Sequence, residues 1–280
     1  MNTKLLSDQA LAIIDQYEHF HIGNSGTCSI PYFNNNHKVV RAGLRATIGK
    51  GSPGDIYEEV EIELAKSGEL RGTIPSEMPA GAIKGGTFIP GAITSEALKH
   101  FLVERNIGID CSGFAYYVLD AESKSRGKNG LDRRLHFPYC TGIIGKIRSK
   151  MRPAENADVA TMAHDTNSRS ILLGEIAPGD IITMLNTMNK EDRVRDHIIV
   201  VDRVEYQNFV PTSIHYSHSI SWPSDGEYGH GVRGGTIQIL DINKSLVDQK
   251  WTEADKSGPE NYTLVRAQKS LTEIRRLRWF

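Results

Sequence analysis

A run of β-type segments in the second half of the chain, with no helical pattern between them, most constrains the fold. Ile181–Leu185, Asp196–Val204, Ser213–Ser219 and Thr236–Asp241 are separated by polar or Gly-rich turns. Strands this close in sequence favour an antiparallel meander, because a parallel crossover needs a longer connection, usually a helix. The first half has helical periodicity. Residues 8–18 place Ala10, Ile13, Ile14 and Tyr17 at helical spacing, with Ser7 or Asp8 as cap. Ser52 as N-cap, Pro53 at the first helical position and Asp55 three after the cap open a second helix with the stripe Ile56, Val60, Leu64. A third helix is read from Ser95 to Arg105, and a fourth opens at Asp110-Cys111-Ser112-Gly113. Helices first and strands after give an α+β class. The Gly- and Pro-rich stretch 67–95 sets the expected boundary: residues 1–95 as a helical and loop extension, and residues 96–280 as the main domain with a polar, basic insertion at about 122–174.

The 280 residues carry 33 Lys+Arg against 34 Asp+Glu. This balance gives no general pull toward phosphate backbones or anionic lipid, so neither nucleic acid nor membrane is an expected partner. The longest apolar run near the N-terminus, Ala10 to Ile14, is too short for a signal peptide. The expected location is cytoplasmic where the protein is made, with action at the cell wall only after non-classical export or lysis. Three cysteines, Cys28, Cys111 and Cys140, imply no disulfide framework.

Two residues carry candidate chemistry. Cys111 falls in the first turn of its helix, where partial positive charge favours a thiolate and backbone N–H groups can receive an oxyanion. Asp110 opposes the thiolate with its own charge. A structural reading of Cys111, as a small core hydrophobe, stands beside this one. His197 opens the buried-looking run His197-Ile198-Ile199-Val200-Val201. If residues 205–211 form the hairpin loop, paired positions sum to about 416. That places His197 opposite residue 219, give or take one or two, and within reach of His218. His215 lies further off, by about 13 Å at strand rise.

Asp110-Cys111-Ser112-Gly113-Phe114, then Pro178-Gly179-Asp180-Ile181-Ile182, then His197-Ile198-Ile199-Val200-Val201, resembles the NlpC/P60 cysteine peptidases. The resemblance covers residues 96–241 and implies a papain-like catalytic domain that cleaves amide bonds, most often in peptidoglycan stem peptides. It implies Cys111 as nucleophile, His197 as base and His218 as the residue orienting the base, with His215 and Ser217 as alternatives for the third place. It implies that Asp110 and Ser112 bind substrate, and that neither metal nor cofactor is needed. The chain departs from the family in lacking the aromatic and Gly-Gly segment before the nucleophile, and its spacings from Cys111 to His197 and from His197 to His218 are long. A thiol acyltransferase would use the same residues, and a non-catalytic binding module would keep only the fold.

Other patterns are set aside. Gly49-Lys50-Gly51-Ser52-Pro53-Gly54 fits G-x-G-x-x-G but lacks the preceding buried strand of a dinucleotide site. His215 and His218, three apart on a strand, point to opposite faces and make a poor metal pair. His19, His21 and Cys28 are read as solvated or structural. Arg275, Arg276 and Arg278 are read as a solvated face or strand margin, with Trp279 and Phe280 anchoring that end.

Overall fold

The computed structural model describes residues 2–23, 25–33, 45–67, 83–84, 87–88, 93–186 and 196–280. The expected Gly/Pro-rich boundary stretch and the polar loop before His197 lie largely outside the described residues. The class is mixed helix and antiparallel sheet, as the order of patterns indicates. Among the described residues one sheet holds nine strands: β1 Asn2–Leu5, β2 Ser168–Ser170, β3 Ile181–Leu185, β4 His197–Gln207, β5 Val210–Ile220, β6 Gly231–Gln238, β7 Lys250–Glu253, β8 Lys256–Ser257 and β9 Leu271–Leu277. Their spatial order is β8-β7-β6-β5-β4-β3-β9-β2, with β1 also paired to β4. Strands β3 to β8 therefore form the meander, and β9 returns from the C-terminus to pair with β3.

The chain makes two compact units, neither contiguous in sequence: residues 1–14, 111–218 and 233–280 in the first, residues 15–110 and 219–232 in the second. Contacts thus divide between Asp110 and Cys111 rather than at residue 95. The expected extension also begins with a strand. β1 pairs with Arg203 to Tyr206 of β4, just past Val200 where the pairing with β3 ends. It supplies partners for backbone groups that the short β3 leaves uncovered.

Helix α1 (Asp8–Glu18) runs from the first unit into the second, where Tyr17 donates its hydroxyl proton to the Gly51 carbonyl at the head of α2 (Pro53–Ser67). The α2 cap forms as its sequence indicates: the Asp55 amide donates to Ser52 Oγ while the Ser52 amide donates to the Asp55 carboxylate. In α3 (Ser95–Glu104) the buried Lys99 ammonium donates to the Ser29 and His230 carbonyls and to Ser29 Oγ.

In the first unit α4 (Cys111–Ser125) packs against β4. The 122–174 segment contains α5 (Gly142–Met151) and shorter helical turns. One sheet face carries the core Ile182, Met184, Ile199, Val201, Ile214, Tyr216, Ile237, Trp251 and Ile274, joined by Leu264 and Ala267 of α6 (Tyr262–Gln268). Of the C-terminal arginines, expected as a solvated face or strand margin, Arg275 and Arg276 are part of the sheet itself. Both lie on β9, between β3 and β2, where Arg275 is buried and donates to Ser168 and Glu273; Arg278 follows the strand and is exposed. Arg276 donates to both carboxylate oxygens of Asp180. The Arg126 guanidinium stands 4.4 Å from the centre of the Phe280 ring.

Candidate functional site

The turn between β4 and β5 decides which histidines meet. Only Asn208 and Phe209 lie between the strands, both at positive φ (50° and 66°), the conformation of a two-residue hairpin turn of the primed type. The seven-residue loop expected at 205–211 is therefore strand apart from these two. Val200 faces Ser217 and Val201 faces Tyr216, so the next pair in this register is Ile199 with His218. Residues 197 and 199 share a face, which puts His218 diagonal to His197 on the same side of the sheet. A register one residue shorter would have put it on the other side. Their rings meet edge to face, with His197 Nε2 and His218 Nδ1 2.8 Å apart.

A carboxylate that sequence reasoning missed completes the chain. Glu253, on β7, places Oε1 3.2 Å from His218 Nε2 and accepts the Tyr216 hydroxyl proton at Oε2, 2.8 Å away. β6 stands between β5 and β7, and the residue on it opposite Glu253 is Gly235. A Cβ there would lie 2.3 Å from Tyr216 Oη, so the missing side chain is what lets groups from the two flanking strands meet. Gly234-Gly235, just before the expected segment Thr236–Asp241, was the available signal.

The carboxylate dictates the proton positions. Burial pushes the Glu253 carboxyl up, but the His218 charge and the hydrogen bonds from His218, Tyr216 and Thr263 outweigh it and hold the carboxyl below its usual range. An ionised Glu253 accepts only, so His218 Nε2 carries a proton and donates it. In the form of His218 that carries only the Nε2 proton, Nδ1 is bare and accepts from His197 Nε2–H. In that form the proton of a neutral His197 is on Nε2 and its Nδ1 is unprotonated. That nitrogen is buried and has no hydrogen-bond partner among the described residues. Burial first, then the Arg266 and His218 charges, press the His197 pKa well below the ordinary histidine value, so the ring is neutral. His197 and His218 are each 0 % exposed and Glu253 1 %.

The other expected site residues are placed as follows. Cys111 opens α4 and is buried, and α4 packs against the strand that His197 opens. His197 shares its face with the core that includes Ile199 and Trp251, a core to which α4 contributes no described residue. Ser112 is buried in the first turn of α4. The Asp110 carboxylate accepts from the Lys50 ammonium at 3.0 Å, with both side chains nearly enclosed. The glycine-rich 49–54 run thus supplies an ion-pair partner and a helix cap. His215 turns to Glu205 and Ser217 donates to Asp202, so neither reaches His197. Gly179, at φ +92°, makes the turn before β3, and Asp180 there is held by Arg276 and the Ala177 amide. Burial pushes the Cys28 thiol up to about 11, against the pull of Lys99. Cys140 Sγ lies 3.7 Å from Asn156 Oδ1. No cluster of three or more metal-ligating side chains occurs among the described residues. Family models, curated proteins and solved structures give no match to this chain.

Proposed function

We propose that the chain is a cysteine amide hydrolase in which Cys111 is the nucleophile and His197 Nδ1 the base, with a peptidoglycan stem peptide as substrate. The observation that supports a base here is the buried His197 Nδ1, at the head of the Glu253–His218–His197 chain and without a hydrogen-bond partner among the described residues; it is not bonded to Cys111 Sγ, and the pairing with Cys111 rests on the resemblance. A bare buried acceptor costs free energy, on the order of 1–3 kcal/mol, and such groups concentrate where chemistry uses them. The choice of an amide in a stem peptide rests on the resemblance of the Asp110–Phe114, Pro178–Ile182 and His197–Val201 segments to the NlpC/P60 enzymes.

Because burial keeps His197 neutral, its ring is able to take up a proton in the reaction. As Cys111 Sγ forms its bond to the carbonyl carbon, its proton passes to His197 Nδ1. The imidazolium is supported through His218 by the Glu253 carboxylate, which stays ionised. N–H groups of the first turn of α4 face the tetrahedral oxyanion. The C–N bond breaks as the amine takes the proton from Nδ1, leaving a thioester. Water, losing its proton to the same nitrogen, releases the acid and restores the thiol. An acyltransferase would replace that water with an amine or alcohol.

Complete enclosure of His197, His218 and Glu253 favours a second reading, in which the network is a structural core element of a binding module. One experiment separates the two. Purified peptidoglycan is incubated with the wild type and with Cys111→Ala, with and without an added amine, and released fragments are read by mass spectrometry. The hydrolase releases free carboxyl termini that Cys111→Ala does not. Absence of fragments with the wild type, or equal release by both proteins, overturns the proposal.

A further inference from the structure

Helix α5 is amphipathic the wrong way round for a globular protein. Its buried residue is Ser149, and Gly145 is half-buried, whereas Ile143, Ile144, Ile147 and Met151 are 79 %, 82 %, 54 % and 72 % exposed. At helical spacing these four span an arc of roughly 100°, opposite the small residues. Lys146 and Lys150 border the arc on one side, Arg148 and Arg152 on the other, all exposed, with Arg152 paired to Glu155 at 3.3 Å. From Arg133 to Ala154 the chain has six Lys or Arg and no Asp or Glu. Net balance over the whole sequence conceals this segregated patch.

We propose that α5 is a docking surface for an anionic lipid bilayer, with the four apolar side chains entering the headgroup boundary and the flanking cations meeting lipid phosphate. Each feature bears on the choice of occupant. Four adjacent protruding aliphatic side chains form a patch that a monomer's surface rarely leaves without use. A second copy of the chain would bring the same cations face to face, which a two-fold contact penalises. A nucleic acid would neutralise the cations and leave the isoleucines wet. A bilayer interface takes apolar side chains along an in-plane helix without a matching groove, while flanking Lys and Arg reach the phosphates.

The test is flotation of the full chain with vesicles of phosphatidylcholine alone and of equimolar phosphatidylcholine and phosphatidylglycerol. Binding is expected only to the anionic vesicles, weakening with added salt. Lys146→Glu with Lys150→Glu, and separately Ile143→Ser with Ile147→Ser, are each expected to weaken it by at least about tenfold. All four positions are exposed, and matched thermal melts verify that the variants are folded. No flotation with anionic vesicles, or flotation that neither folded variant weakens, overturns the proposal. So does a dimer in solution that the Ile143→Ser, Ile147→Ser variant dissociates.

Discussion

At the scale of the residue, most of the candidate site follows from the proton inventory of three side chains. His197 at the mouth of a strand and His218 across the hairpin were legible, as was the helix that Cys111 opens. Glu253 was not, because it reaches His218 from two strands away and nothing in its local sequence, Trp251-Thr252-Glu253, marks it. The depressed His197 pKa makes a claim about stability. Below pH 6.5, the ordinary histidine value, the unfolded chain binds a proton at this position and the folded chain does not. The unfolded state then holds more protons, so this contribution is full above that pH and is lost as pH falls. Glu253, also depressed, acts in the same direction from about pH 4.5 downward. Asp180 and Asp202, both raised chiefly by burial, act oppositely, so the His197 contribution is read by difference. Between pH 6.5 and 5 the wild-type melting temperature is expected to fall more steeply than that of His197→Gln. Parallel curves would show that His197 is protonated in the folded protein.

At the scale of the element, register and a gap in one strand decide whether the side chains meet. The meander was legible from β-type segments without helices between them, and the α2 cap from Ser52, Pro53 and Asp55. The hairpin length was not. A primed two-residue turn normally announces itself with Gly, and here the second turn position is Phe209. A hairpin centred on Asn208 differs by one residue from the observed register, and that residue decides the face on which His218 stands. Gly235 is the second device. Gly235→Ala sets a methyl group against Tyr216 Oη and is expected to destabilise the fold by about 1–3 kcal/mol in denaturant titration. An unchanged midpoint would mean that the opening in β6 is not needed for Tyr216 and Glu253 to meet.

At the scale of the whole molecule, the interleaving of segments was the least legible feature. A boundary was expected at residue 95 because Gly and Pro cluster before it. Yet Asn2–Leu5 belongs to the sheet, and residues 219–232 belong with residues 15–110. Such pairings at long sequence separation leave no local trace. A fragment of residues 96–280 lacks β1 and leaves segments 96–110 and 219–232 without the residues they pack with. It is expected to melt without cooperativity by circular dichroism, whereas a sharp transition at the full-length midpoint would restore the simpler boundary. The central claim is that a carboxylate on β7 acts through His218 to fix the proton of His197 on Nε2 and leave Nδ1 bare. Nitrogen NMR of the histidine rings across pH tests it most directly. His197 is expected as the neutral Nε2–H form, persisting below the pH at which an ordinary histidine takes up its proton, with that fixed form lost in Glu253→Gln. A proton on Nδ1 at neutral pH in the wild type would contradict it.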